Sequence, residues 1–344
     1  MAEKIDLILN RVYGSEVPDH KDLVYLLSVS SQEELQRIFD FADRVRREFV
    51  GDGILLRGII EFSNYCRNSC LYCGLNKTNK SLKRYRLSGA EIQRSVRRIV
   101  GSGIQTVVLQ SGEDHELEAG WLKEIIQTIK SECDIAVTLS VGERDIEDYR
   151  MWRYAGADRY LLKIESSDRR LYQSLHPGMS FDRRKKCLKE LKDLGYQTGS
   201  GNIIGLRGQA LSHLAGDILF FEREKFDMIG IGPFIPHPDT ELSKVSPGDV
   251  LMTLKTLALT RIVTKNTHLP ATTALASVCK EDLRGEGLKA GANVVMLNFT
   301  PEEYRPLYQI YPNKRCIGET VDSCKGWNID YSRGDSMKLC GKQV

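Results

Sequence analysis

The sequence predicts an α/β fold, a complete (β/α)8 TIM-type barrel with an N-terminal helical extension and a C-terminal tail. Three observations predict it. Short apolar runs alternate with longer amphipathic segments from residue 54 to residue 297. The runs number eight, enough to close a barrel rather than leave an open sheet. No Pro/Ser/Gly linker or low-complexity tract interrupts the alternation.

Residues 1–50 read as helical. Leu23, Leu26 and Leu27 lead into Leu35, Ile38, Phe39, Phe41 and Val45 at roughly helical spacing. The strand candidates follow: Ile54–Phe62, Thr106–Leu109, Ile135–Leu139, Arg159–Ile164, Thr198–Ile204, Met228–Ile231, Leu269–Thr273 and Val294–Leu297. The seventh is short and carries Pro270. Helical segments between them include Glu91–Val100, Trp121–Lys130, Ile146–Tyr154, Arg183–Leu194 and Val250–Val263. Ser88 with Glu91 forms a capping box. Thr300, Pro301 and Glu303 predict another helix start, and Gly156 and Gly195 stand where C-terminal caps belong. The expected division is an extension over 1–50, a barrel over 51–312 and a Cys-containing tail over 313–344.

Composition narrows the class. The 344 residues are 41% hydrophobic and 28% charged, which excludes whole-chain disorder. Lys and Arg total 49 against 46 Asp and Glu, so nothing favours a polyanion partner. No apolar run is long enough to span a bilayer, and Met1–Leu9 lacks the apolar stretch of a signal peptide. A cytoplasmic location is expected, with neither nucleic acid nor membrane as partner. Nine cysteines, an odd number, favour thiols or metal ligands over a disulfide framework.

A barrel places its active site at the C-terminal strand ends. There, after the first run, stand Cys66, Cys70 and Cys73, spaced C-x3-C-x2-C. Three thiolates on one loop can wrap a soft metal centre, iron–sulfur or zinc. Structural zinc takes four ligands and no fourth lies nearby, although a three-ligand zinc site and a cluster of ordinary buried cysteines stay open. Gln110-Ser111-Gly112-Glu113 follows the second run, Thr138 and Ser140 the third, Glu165 the fourth, with Arg184 on the next helix, and Gly205-Leu206 the fifth. An inward Arg57 on the first strand needs either an anion or a carboxylate such as Glu61. The basic run Lys77–Arg86 suggests a solvated face or a partner-docking surface.

The C-x3-C-x2-C motif with Tyr72 before its third Cys resembles that of the radical S-adenosylmethionine (SAM) enzymes. The resemblance implies a [4Fe-4S] cluster on Cys66, Cys70 and Cys73, whose open iron binds SAM, and one-electron cleavage to a 5′-deoxyadenosyl radical. It implies cofactor contacts at Tyr72, Ser111, Gly112, Glu113, Thr138, Ser140, Glu165, Arg184, Gly205 and Leu206. Phe226–Thr240 and the segments around Asn64, Arg84, Asp158, Thr272 and Arg305 are similar to the HydE family of [FeFe]-hydrogenase maturases. That similarity implies action on a small iron–carbonyl–cyanide–cysteine precursor, with HydG and HydF maturases and a low-potential electron donor as partners. It also implies substrate contacts at Arg57, Gln110, Lys163, Thr272, Thr273, Arg305 and Tyr308.

Departures from the family pattern are Ser111 for a glycine, Lys163 for an arginine, and Trp327 where an auxiliary C-x7-C-x2-C motif would place its third Cys after Cys316 and Cys324. An auxiliary iron–sulfur cluster is therefore expected to be absent, labile or two-iron. Alternatives are another small-molecule radical enzyme, similar to methylornithine synthase or biotin synthase, or a non-catalytic metal or cluster carrier.

Overall fold

The computed structural model describes residues 2–315. Three helices come first: α1 (Ala2–Gly14), α2 (His20–Ser28) and α3 (Gln32–Val50). Their apolar faces pack on the body of the fold, α3 against α10 (Val250–Thr264) and α2 against α9 (Leu211–Glu224). Lys255 of α10 is buried in this layer and donates to the carbonyls of Leu27 and Val29 that end α2.

Seven parallel strands form one sheet in the order β6-β5-β4-β3-β2-β1-β7. They are β1 (Leu55–Ser63), β2 (Thr106–Ser111), β3 (Ala136–Ser140), β4 (Arg159–Leu161), β5 (Gln197–Ile204), β6 (Met228–Pro233) and β7 (Val294–Asn298). The near-continuous burial of β1 and β6 is what a parallel strand covered on both faces requires. Between the strands lie α4 (Gly89–Gly101), α5 (Ala119–Glu132), α6 (Ile146–Tyr154), α7 (Arg169–Leu175) and α8 (Phe181–Asp193), then α11 (Thr273–Ser277) and α12 (Arg284–Lys289) before β7. The Ser88–Glu91 capping box is present, and Gly156 and Gly195 take positive φ one residue past the caps of α6 and α8.

Two expectations are corrected. The seventh expected strand, near Leu269–Thr273, is not a strand. His268 and Pro270 make only single bridges, to Met228 and Val294, on either side of the gap between β6 and β7. Pro270 has no N–H to donate, and Thr272 instead begins α11 as its N-cap. Nor does Thr300 start a helix. Its hydroxyl accepts the Glu61 amide at 2.8 Å, and Pro306 limits the segment to a 3-10 turn at Arg305–Leu307. No helix among the described residues is long and apolar enough to cross a membrane.

Candidate active site

Parallel strands bring all seven C-terminal ends to one side, so the loops inspected in the sequence meet there. A cavity of about 370 Å³ opens among them. Cys66, Cys70, Tyr72, Cys73, Gln110, Ser111, Glu113, Ser140, Lys163, Glu165, Arg184, Thr272 and Thr273 all line it.

The loop after β1 carries three free, half-buried thiols. Burial is the main cause that pushes all three up, Cys73 to about 12, and the like charges of the other two thiols add to this at Cys70. As thiolates they need a cation to offset that cost, and an iron cluster supplies it. Among the described residues no three His, Cys, Asp or Glu side chains converge on a single ion position. Three thiols on one loop, all lining one cavity, fit a multi-iron cluster held by three cysteines.

The loop is held against β2 at close range. Gly112 donates to Ser63 O at 3.0 Å, and Arg67 N donates to Glu113 O at 2.9 Å. A Cβ on Gly112 would lie 2.2 Å from Tyr65 O and 2.9 Å from Cys66 Cβ, so only glycine allows this approach. The Glu113 carboxylate is already engaged, by Arg67 Nε at 2.7 Å and the Glu143 amide at 2.9 Å.

Tyr72 is set by His176. The His176 Nδ1 faces Tyr172 O at 2.7 Å and must donate there, which leaves Nε2 to accept from the Tyr72 hydroxyl at 2.8 Å. Burial lowers His176 to about 4 and keeps it in this neutral form.

At the end of β4, Glu165 has φ +61, a left-handed conformation costing on the order of 1–3 kcal/mol for a non-glycine residue. That turn aims its carboxylate into the cavity, 3.1 Å from Lys163 Nζ. Arg184 is buried and donates to Glu143 Oε1 and Lys163 O, both at 2.6 Å. Burial works against its charge, but Tyr172 and Glu143 outweigh it, so the guanidinium stays charged.

Other expected residues fall elsewhere. Arg57 and Thr138 line a separate chamber of about 10 Å³ beneath the cavity, with Arg159, Met228 and His268. Arg57 Nη1 donates to Met228 Sδ at 2.8 Å. Glu61, the alternative carboxylate partner for Arg57, is engaged elsewhere. Four residues along a strand separate the two by about 13 Å, and Glu61 is held by Lys314 and Asn298. Gly205 packs against Gly248, and Leu206 belongs to an apolar cluster with Leu71 and Phe234; neither lines the cavity, whereas Ile203 does. Arg305 is buried and donates to Thr300 O at 2.7 Å. Tyr308 is buried beneath Lys314, whose Nζ stands 4.8 Å from its ring. Cys316 and Cys324 lie outside the described residues.

Sequence reasoning missed Lys314, which reaches the cavity and pairs with buried Glu61, 253 residues away in sequence. It also missed the positioning contact of His176.

Comparison with known proteins agrees with this geometry. The radical SAM superfamily profile matches residues 60–221. The HydE subunit of the [FeFe] hydrogenase maturase from Thermotoga maritima is 48% identical over 87% of this chain and 85% of that protein. A 3-methylornithine synthase from Methanosarcina acetivorans is 31% identical over 83% of this chain and 80% of its own length. The crystal structure of methylornithine synthase superposes with a TM-score of 0.76 at 29% identity, covering 84% of this chain and 85% of that one. That of HydG, a maturase of the [FeFe]-hydrogenase, does so with a TM-score of 0.79 over 91% of this chain and 72% of its own; at 19% identity this speaks to fold alone. The chain belongs to the radical SAM superfamily and, within it, to the family of the HydE maturase. It is an enzyme that cleaves SAM with a [4Fe-4S] cluster.

Proposed function

We propose that the chain is a HydE-type maturase, acting on a small iron–carbonyl–cyanide–cysteine precursor during assembly of the [FeFe]-hydrogenase di-iron subcluster. One observation carries the site assignment: three thiols, the strained Glu165 and the buried Arg184 face one cavity at the strand ends. Identity of 48% to HydE, against 31% to methylornithine synthase, favours the maturase.

Cys66, Cys70 and Cys73 would hold the cluster through their thiolates. The cluster and its bound SAM supply one-electron reductive cleavage to a 5′-deoxyadenosyl radical. The protein's part is to hold the cofactor and exclude water. Tyr72, oriented by His176, packs on the adenine side. The Ser111–Glu113 backbone offers polar groups to the amino acid moiety. Glu165 suits ribose hydroxyls, and Arg184, which lines the same cavity as Ser140, suits a carboxylate. Lys163, where relatives have arginine, keeps the charge but loses bidentate geometry, so it binds anions more weakly.

Thr272, Thr273 and Gln110, which line the same cavity, contact the substrate. Arg57, with Thr138 and Arg159, provides an anion site below it. Residues 51–312 act as the catalytic unit, with 268–270 serving as the eighth stave of the barrel. HydG supplies the substrate, HydF receives the product, and the reaction takes place in the cytoplasm.

The deciding experiment adds the purified, cluster-loaded chain to a hydrogenase maturation mixture lacking HydE. Restored hydrogenase activity that is lost in Cys70→Ala supports the proposal. No restoration, with 3-methylornithine formed instead, would move the assignment to a methylornithine-synthase-like enzyme.

A further inference from the structure

The basic segment after the cluster loop is left without a role by the account above. Residues 62–90 carry six Lys or Arg and no Asp or Glu, in a chain whose net charge is only +3. Three of the six are committed to the fold. Arg67 pairs with Glu113, and Arg86 pairs with Asp114 and Glu116. Arg84 turns inward and donates to the carbonyls of Asn64, Leu75, Asn76 and Asn79. The remaining three, Lys77, Lys80 and Lys83, are exposed and form no ion pair with any described residue.

Their positions are rigidly specified although the segment is neither helix nor strand through Lys83. Asn76 Oδ1 accepts from Thr78 and Asn79, and Asn79 Oδ1 accepts from Ser81. With Arg84 stapling four carbonyls from inside, the lysines are displayed on a preformed turn, three residues apart.

The same turn is hydrogen-bonded to the cluster loop at two places, Asn68 and Cys73. Lys77 N donates to Asn68 O at 2.8 Å, and Asn68 stands two residues after Cys66 in the same loop. The Asn76 backbone and side-chain amides both donate to Cys73 O, at 3.1 and 2.7 Å. A short chain of covalent and hydrogen bonds therefore links the lysine surface to Cys66 and Cys73. Lys77, Lys80 and Lys83 are not among the residues lining the cavity that cofactor and substrate must occupy.

We propose that Lys77, Lys80 and Lys83 form the docking face for an acidic protein that carries one electron at low potential, and that the electron enters through the turn they share with Cys66 and Cys73. This rests on the assignment of the cluster to these thiols. The carrier is oxidised by one electron and the cluster reduced by one, which is the electron the sulfonium cleavage consumes. Charge complementarity selects the occupant. A carboxylate-rich face is steered to a fixed lysine array, raising association rates by about 10 to 1,000-fold at low salt. A small footprint suffices, since electron-transfer encounters bury under ~1,200 Å². Nucleic acid is disfavoured because the aromatic residue of the run, Tyr85, is buried and offers no stacking surface.

The test uses the cluster-loaded full chain, a reduced acidic flavodoxin as probe, and dithionite as the small-molecule control. Binding is followed by calorimetry at about 20 and 300 mM salt, which brackets strong and weak screening. Reduction of the cluster is followed by stopped-flow absorbance.

Triple reversal, Lys77→Glu with Lys80→Glu and Lys83→Glu, should weaken flavodoxin binding and slow reduction by at least about tenfold at low salt, and flatten the salt dependence. Dithionite-driven formation of 5′-deoxyadenosine should stay within about twofold, since that route needs no docking. Reversal of Lys123 and Lys185 on the outer helices should do neither. A milder Lys→Gln triple, and carbodiimide cross-links mapped on the unmodified protein, keep the test decisive if the reversal disturbs folding. Unchanged flavodoxin binding and reduction in the triple variants, an equal effect of the outer-helix reversals, or cross-links elsewhere would overturn the docking face. Absence of dithionite-driven SAM cleavage in the unmodified chain would instead count against the proposed function, and the calorimetry would still decide the docking.

Discussion

Replacing Lys314 by Met should cost the protein about 3 kcal/mol. Lys314 and Glu61 are 5% and 4% exposed and in direct contact, and Asn298 Nδ2 reaches the other Glu61 oxygen at 3.0 Å. Methionine keeps the packing but leaves the carboxylate with one amide donor. Breaking a buried pair on one side typically costs ~3–5 kcal/mol, because the remaining charge is uncompensated. Both side chains border a cavity rather than a closed core, which leaves room for the remaining charge to relax, so the lower end is expected.

The pair also secures a segment that borders the site. Ile310 and Tyr311 line the cavity, and Ile310 O accepts from Gly74 N of the cluster loop at 3.0 Å. The assay is denaturant unfolding of the metal-free chain, wild type against Lys314→Met, Glu61→Gln and the double variant. Both single variants should be destabilised. The double should recover to within about 1 kcal/mol of wild type, since removing both members of a buried pair is often nearly neutral. A Lys314→Met loss below about 1 kcal/mol, or additive losses in the double, would refute the reasoning.

Three further outcomes follow from the site. Gly112→Ala should drive the cluster loop off β2, since backbone oxygen stands where the methyl would go; iron retained after anaerobic reconstitution should fall severalfold while the rest of the chain stays folded. His176 binds its proton near pH 4 in the fold but near 6.5 when unfolded, so stability should fall as pH drops through that window, by up to about 3 kcal/mol; His176→Phe should flatten this limb of the denaturation-midpoint profile and weaken SAM binding by loosening Tyr72. Glu143→Gln takes the charged partner from buried Arg184 and should weaken SAM binding by about tenfold in equilibrium dialysis, a Kd change read without turnover.

Local chemistry made much of the fold and site legible in advance. Ser88 and Glu91 cap α4 because the box is complete within four residues. The apolar runs at β1, β2, β3, β5 and β6 mark strands because parallel strands are buried on both faces. The cysteine loop is visible because its three thiols lie within eight residues. Legibility failed where a side chain's partner is remote. Thr300 looked like a helix cap, but its hydroxyl is taken by the Glu61 amide of β1. Lys314 gave no sign of its function, since its carboxylate partner is 253 residues away. His176 carries no motif in the sequence, and only the fold shows that its buried ring orients Tyr72. Leu206 stands after a strand end as expected, yet the chain turns it into an apolar cluster.

The central claim is that Cys66, Cys70 and Cys73 hold a cluster that binds and cleaves SAM. Its most direct test is low-temperature EPR of the reconstituted, reduced protein with and without SAM, followed by quantification of 5′-deoxyadenosine. A cluster-bound SAM should give a reduced-cluster signal that changes shape on adding SAM, nucleoside formation, and loss of both in Cys70→Ala. A signal indifferent to SAM, or no iron bound by these thiols, would contradict it and leave a metal-carrier role.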